Sequence, residues 1–173
     1  GIDTERDSAS VLAEIYATDN LSFVVGSDYI DDSADTSSID RTRSNRAGFV
    51  QANAQAGAFS GQLALRRDLN EQFGGQNTGN LVLGFDVNEQ LRATVSYGEA
   101  FRAPTFNQLF FPGFGNESIR PESSKNFGAG IRWAGSALSV SLNGYYNKVD
   151  DLIVTNSVCR LDEMGNEIPS SFD

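Results

Sequence analysis

Four aspartates, Asp28, Asp31, Asp32 and Asp35, stand at D-x-x-D-D-x-x-D spacing, and carboxylates gathered in one loop supply the hard oxygen ligands that calcium takes. The spacing is not that of an EF-hand, and a solvated acidic loop is the favoured reading. Seven arginines, Arg41, Arg43, Arg46, Arg66, Arg67, Arg102 and Arg132, fall near turns or at polar positions. They can pair with carboxylates of a neighbouring segment or attract an anionic ligand, with solvation and packing favoured over specific recognition. Phe106, Phe110, Phe111 and Phe114, together with Asn107 and Asn116, form an aromatic-rich stretch. It offers apolar contact area to a bulky ligand, and packing of the rings within the stretch is the equal alternative.

Catalysis finds no support. The sequence has no His, the commonest general base and zinc ligand, and Glu14, Asp86, Glu89 and Glu99 give no paired acid and base across a common site. The one Cys, Cys159, excludes an internal disulfide framework and a four-cysteine metal site. A bridge to a cysteine elsewhere and a free thiol both stay open. With 13 Lys+Arg against 23 Asp+Glu the net charge is −10, which lacks the basic footprint of a nucleic-acid binder.

The elements that must position these residues are strands. The opening Gly1-Ile2-Asp3-Thr4-Glu5-Arg6-Asp7-Ser8 has no basic and apolar leader, and nowhere do 18 apolar residues run together to make a spanning helix. Transmembrane strands of about 9–11 residues escape that test. From Ser10 the chain alternates with period two, which predicts eight strands over Ser10–Thr18, Leu21–Ile30, Arg43–Ala56, Phe59–Arg67, Gly79–Val87, Leu91–Arg102, Ser124–Trp133 and Ala137–Asp150. A single helical turn is expected near Thr105–Leu109.

Connections alternate between short and long. Asp19-Asn20, Gly57-Ala58, Asn88-Glu89-Gln90 and Ala134-Gly135-Ser136 are of hairpin length, whereas Asp31–Thr42, Asp68–Thr78, Ala103–Ser123 and the tail from Asp151 read as long loops. Tight turns at one end and long loops at the other are the pattern of an outer-membrane barrel. The faces agree: Phe59, Gly61, Leu63 and Leu65 oppose Ser60, Gln62, Ala64 and Arg66, and Leu81, Leu83, Phe85 and Val87 oppose Asn80, Val82, Gly84 and Asp86. The third strand is poor in bulk but in phase, with Val50, Ala52, Ala54 and Ala56 on its apolar face. Phe59 and Trp133 lie by the short turns and Tyr29, Tyr97 and Tyr146 toward the long loops, as two aromatic girdles at headgroup level would require.

Ser96–Gly130 reads S-Y-G-E-A-F-R-A-P-T-F-N-Q-L-F-F-P-G-F-G-N-E-S-I-R-P-E-S-S-K-N-F-G-A-G. This resembles the mid-barrel segment of TonB-dependent outer-membrane receptors, matched at Tyr97, Gly98, Phe101, Arg102, Ala103, Pro104, Leu109, Asn116, Pro121, Glu122 and Ser124. The stretch Arg66–Gly74 resembles a strand end and loop of the cobalamin-receptor branch, and Tyr145–Ile153 resembles the strand that follows the Pro-Glu motif. Gly128 departs from it, standing where an acidic residue is often found. Pro104 ends a ladder without needing a donor and Pro121 lets the chain re-enter one, so both are expected to shape the loop more than to touch a ligand.

The expected fold class is therefore all-β, an antiparallel transmembrane β-barrel portion contributing about eight strands to a larger barrel of about 22 with a plugged lumen. The plug, the TonB-contacting segment and the remaining strands have no counterpart in these residues. The resemblance implies a bacterial outer-membrane transport receptor for a bulky scarce nutrient, cobalamin-like ahead of an iron siderophore. Its partners would be outer-membrane lipid, the rest of the barrel and plug, TonB through that plug, and the ligand, with no nucleic acid. No cofactor is expected unless the aspartates bind calcium. An independent eight-stranded barrel with a structural or adhesive role is the alternative, and a barrel hydrolase is weakened by the lack of His.

Overall fold

Eight strands follow one another as an antiparallel meander in the computed structural model, which describes residues 2–36, 40–156, 160–161, 167–168 and 171–172. They are β1 (Ile2–Thr18), β2 (Leu21–Thr36), β3 (Asp40–Ala56), β4 (Phe59–Asn70), β5 (Gly74–Asp86), β6 (Leu91–Arg102), β7 (Glu122–Ala134) and β8 (Ser139–Asp150), with one helical turn, α1 (Phe106–Phe110), between β6 and β7. Beyond β8, two short antiparallel pairs join Thr155–Asn156 to Ser171–Phe172 and Arg160–Leu161 to Glu167–Ile168. Cys159 lies outside the described residues. Among the described residues β1 and β8 each pair on one side only, so the sheet is open and the closed eight-strand circuit of the alternative reading is not formed.

All four short turns lie at one end, joined by ladder bonds that run past the strand tips. Gln55 N–H donates to the Asn20 carbonyl (2.9 Å), Asp86 N–H to that of Ala58 (2.9 Å) and Ala134 N–H to that of Gln90 (2.8 Å). In the third turn the Asn88 side chain accepts from the N–H groups of Gln90 and Leu91, each at 2.9 Å, so a side chain does the work of a turn backbone.

Register fixes which side chains share a face. Val25 opposes Val50, Val50 opposes Leu65, Leu63 opposes Leu81, Leu83 opposes Val95 and Ile131 opposes Leu142. The apolar sets of the strands therefore merge into one continuous face, Ala-rich β3 included. Exposure on it is inverted relative to a protein folded in water. In β4 Leu63, Leu65 and Leu69 are about half exposed, whereas Asp68 and Asn70 on the opposite face are buried at 3% and 8%. An apolar face this large, left open while charge is buried behind it, needs a nonaqueous neighbour. Aromatic pairs mark the two margins of the band: Phe59 with Phe85 near the short turns (4.7 Å between ring centroids) and Tyr97 with Phe127 toward the other end (4.8 Å). Tyr146 stands opposite Phe127 in the same row.

Three sequence expectations are corrected. Residues 31–36, 40–42, 68–70 and 74–78 are strand and not loop, β1 starts at Ile2 instead of Ser10, and only Glu71–Phe73 connect β4 to β5. Their polarity reads as loop in the sequence, but the ladder persists there because cross-strand polar pairs, Arg6 with Asp32 and Asn45 with Asp68, replace apolar ones. At β8 the strand begins at Ser139 instead of Ala137. The four aspartates do not converge. All lie on β2, whose pleat sends Asp28 and Asp32 to one face and Asp31 and Asp35 to the other, and among the described residues no group of three acidic, His or Cys side chains is placed to hold a metal.

An arginine in the middle of the apolar face is expected to be costly. In reversible urea unfolding of the complete barrel from lipid vesicles, Leu83→Arg should lose roughly 2–4 kcal/mol and Gln62→Arg, on the opposite face, far less. Equal losses would contradict the assignment of faces.

Candidate functional site

The longest connection, from Ala103 to Pro121, folds back over the polar face of the sheet. Pro104 ends β6, is fully buried, and its carbonyl accepts from Arg43 Nη1 of β3 at 2.8 Å. Thr105 then caps α1: its side chain accepts from the Gln108 N–H (3.3 Å) and Gln108 Oε1 accepts from the Thr105 N–H (2.9 Å). This reciprocal box satisfies two donors at the start of a helix too short to hold itself. Leu109 turns inward and is 1% exposed. The return bonds the Gly115 N–H to the Phe111 carbonyl (2.7 Å) and the Asn116 N–H to that of Gln108 (2.9 Å). At Gly115 a Cβ would meet the Leu109 carbonyl oxygen at 2.6 Å, so only glycine lets the loop close this tightly.

The phenylalanines divide into two pairs. Phe106 and Phe110 stack on each other (6.4 Å) and lie under Arg43 (4.9 Å) and Arg41 (5.3 Å) respectively, which ties the helical turn to β3. Phe111 and Phe114 pair at the far side (5.9 Å) and remain 43% and 39% exposed. The first pair is thus packed against β3, and the second keeps much of its ring surface exposed. Asn107 is exposed and its carbonyl accepts from the Phe111 N–H, while Asn116 Oδ1 accepts from the Ser118 N–H at 2.9 Å.

Beneath the loop runs a polar network. Arg66 donates from Nε and Nη2 to Asp68 (2.9 and 3.0 Å) and from Nη1 to Asp28, and Asn45 Nδ2 donates to Asp68 (2.9 Å). Asn70 accepts from the N–H groups of Gln72 and Phe73, each at 3.1 Å, and so shapes the tip between β4 and β5. At the foot of the loop Glu122 is 8% exposed and accepts from Arg102 Nη1 (3.2 Å) and from the Ile153 N–H (2.8 Å). One buried carboxylate therefore joins the end of β6, the start of β7 and the segment after β8.

The remaining motif positions serve the framework. Tyr97 and Phe101 lie on the apolar face, with the Tyr97 hydroxyl donating to Glu99 at 2.6 Å; Gly98 and Ser124 lie on the opposite one; Ala103 and Pro121 lead the loop away and back. Sequence reasoning missed Arg6, Thr105 and Phe73. The T-x-x-Q signature from Thr105 to Gln108 was a visible capping signal. Arg6 and Phe73 carried none until the strands were extended.

Glu71 is held by Ser44, whose backbone N–H and hydroxyl donate to it at 3.0 and 3.1 Å and keep its carboxyl below the ordinary glutamate range. A depressed value means this stabilisation is present above the ordinary glutamate value and is lost as pH falls through the lowered one. Hydrogen exchange at the Ser44 amide should rise on acidification through that window, and Glu71→Gln should remove the dependence. Glu122→Ala leaves Arg102 and the Ile153 N–H without their acceptor, and is expected to cost about 1–3 kcal/mol and to speed exchange at Ile153.

Residues 4–165 match the family model described as TonB dependent receptor-like, beta-barrel. The chain is 29% identical over 175 residues to the vitamin B12 transporter BtuB of Photobacterium profundum, covering 99% of this chain and 29% of that protein. It is 33% identical over 132 residues to BtuB of Vibrio cholerae, covering 76% and 21%. Among solved structures, a mutant of the ferric enterobactin receptor PfeA from Pseudomonas aeruginosa superposes with a TM-score of 0.83 at 15% identity, over 99% of this chain and 31% of that one. The siderophore receptor PirA from Pseudomonas aeruginosa gives 0.78 at 21% identity, over 89% and 32%. The chain thus spans about three-tenths of the length of the first of these curated relatives. With the open meander, the inverted exposure and the Pro104-to-Glu122 loop, these matches establish that the chain belongs to the β-barrel family of TonB-dependent receptors.

Proposed function

We propose that this chain is part of the barrel wall of a bacterial outer-membrane receptor that imports a bulky scarce nutrient, with a cobalamin-type corrinoid favoured over a ferric siderophore. Residues 1–173 belong on this reading to one barrel domain, and the plug through which TonB acts lies outside them. The apolar face meets outer-membrane lipid. The opposite face meets the plug below and the ligand above, where the loop from Ala103 to Pro121 forms part of the mouth.

The observation that carries the reading is the exposed pair Phe111 and Phe114, held out by a loop whose other side is anchored through Leu109, Phe106 and Phe110. Rigid aromatic surface on a fixed base binds a bulky ligand at low entropic cost. The corrinoid preference rests on relatives named vitamin B12 transporters at 29–33% identity, against 15–21% for the siderophore receptors among the structures.

The test is uptake of labelled cyanocobalamin by cells that lack their own cobalamin receptor and express the complete receptor carrying this chain, with and without TonB. Uptake that requires TonB is expected, and Phe111→Ala with Phe114→Ala should weaken binding roughly tenfold. Binding of a ferric siderophore with no cyanocobalamin uptake would replace the corrinoid by iron.

A further inference from the structure

Once placed, the arginines divide by partner. Arg66 is paired with Asp28 and Asp68, Arg92 with Asp86 and Arg102 with Glu122, while Arg67 donates to Asn77. Arg43 has no carboxylate within ion-pair distance among the described residues. Its Nη1 is used by the Pro104 carbonyl, and its guanidinium lies 4.9 Å from the Phe106 ring and 5.9 Å from that of Phe73. Asp32 is near enough to act on its charge, but both oxygens of Asp32 are held by Arg6, from Nε and from Nη2. Arg43 is thus a half-buried cation without a counterion, and burial pulls it below the ordinary arginine value. Burying a charge is unfavourable until it is paired.

Beside it opens a cavity of about 290 Å³, lined by Thr4, Glu5, Arg6, Asp32, Ser33, Arg43, Thr105 and Phe106; Glu5 and Ser33 pair with each other one position along from Arg6 and Asp32, so the pleat assigns them to the opposite face of the sheet. Two further donors face it. Thr105 uses its oxygen as an acceptor for the Gln108 N–H and keeps its hydroxyl hydrogen, and Arg6 keeps the N–H groups that Asp32 does not take. The volume falls just short of the roughly 300–1,000 Å³ that enclose a whole drug-sized ligand, so it suits one group of a larger molecule.

We propose that this cavity is an oxyanion subsite, in which Arg43, assisted by Thr105 and Arg6, binds a carboxylate or phosphate borne by a soluble ligand. The proposal rests on the receptor reading above and deepens it. A soluble source follows from position, because Arg43 lies on the face opposite the one that meets lipid. Binding is coupled to the loop: the residue that takes the anion is the one that pins the Pro104 carbonyl and stacks on Phe106.

The test titrates inorganic phosphate into the complete detergent-solubilised receptor and follows the phosphorus NMR linewidth, with hydrogen exchange in residues 105–116 as the second readout. Wild type should broaden the signal saturably and protect the loop. Arg43→Gln should weaken the affinity about tenfold or more and abolish the protection, and Arg43→Lys should restore part of both. Arg132→Gln, which alters a residue remote from the cavity, should behave as wild type. Should Arg43→Gln fail to fold, Arg6→Gln serves instead, because it frees Asp32 to take Arg43, and about fivefold weakening is expected. Equal affinity in wild type and variants, or no saturable broadening up to about 100 mM phosphate, overturns the proposal. Displacement of phosphate by anionic phospholipid added to the micelle overturns the soluble source. A receptor that binds phosphate here but imports no corrinoid leaves the subsite standing and fails only the nutrient assignment.

Discussion

A backbone N–H in hydrocarbon has no water to turn to, so each strand that crosses a bilayer must find its hydrogen-bond partners on its two neighbours. Everything else in this sheet follows from that ladder. Pairing in strict sequence order needs only a short turn at one end of each hairpin, and the short turns here are themselves joined from strand to strand. Once register is set, the pleat sends alternate side chains to opposite faces, and a slip of one residue would exchange lipid and interior. The same constraint leaves β1 and β8 unfinished, since the outer edge of each has a row of donors and acceptors that only further strands can satisfy.

Above the apolar band the driving force changes while the ladder does not. Arg6 with Asp32 and Asn45 with Asp68 link neighbouring strands, and Ser44 of β3 holds Glu71 in the turn after β4, all through charge and hydrogen bonds. These contacts carry the sheet into water and give the long loop a polar floor. The loop is then fixed at three points of different chemistry: the Pro104 carbonyl on Arg43, the Leu109 side chain in its own small core, and Glu122 at its foot. What stays exposed is aromatic surface, Phe111 and Phe114, and beside the loop lies a half-buried cation, Arg43, without a carboxylate counterion among the described residues.

Much of the fold was legible because period-two alternation is a direct image of the pleat, and all eight strands fall where that pattern runs. The errors share one cause. Polar stretches such as Asp31–Thr36 and Asp68–Asn70 read as loops because strand signals are apolar signals, whereas pairing above the membrane uses charge. The aspartate cluster misled for the same reason: spacing in a loop implies convergence, but spacing in a strand implies separation onto two faces. At the loop, Pro104 and Pro121 announced its limits and Thr105 its cap. The division of the four phenylalanines was not legible, because it depends on Arg41 and Arg43, about sixty residues away in sequence and adjacent only through the order of the sheet.

Membrane face, loop and receptor role all depend on one assignment, that the face bearing Leu81, Leu83 and Phe85 meets lipid and the face bearing Asn80, Val82 and Gly84 meets the interior. Spin labels placed singly at residues 80 to 85 of the complete receptor in bilayers, in a Cys159→Ser background, test it most directly. Relaxation by oxygen, which partitions into lipid, should be high at 81, 83 and 85 and low at 80, 82 and 84. Uniform or inverted accessibility along these six positions would contradict the register, the membrane face and the receptor reading built on them.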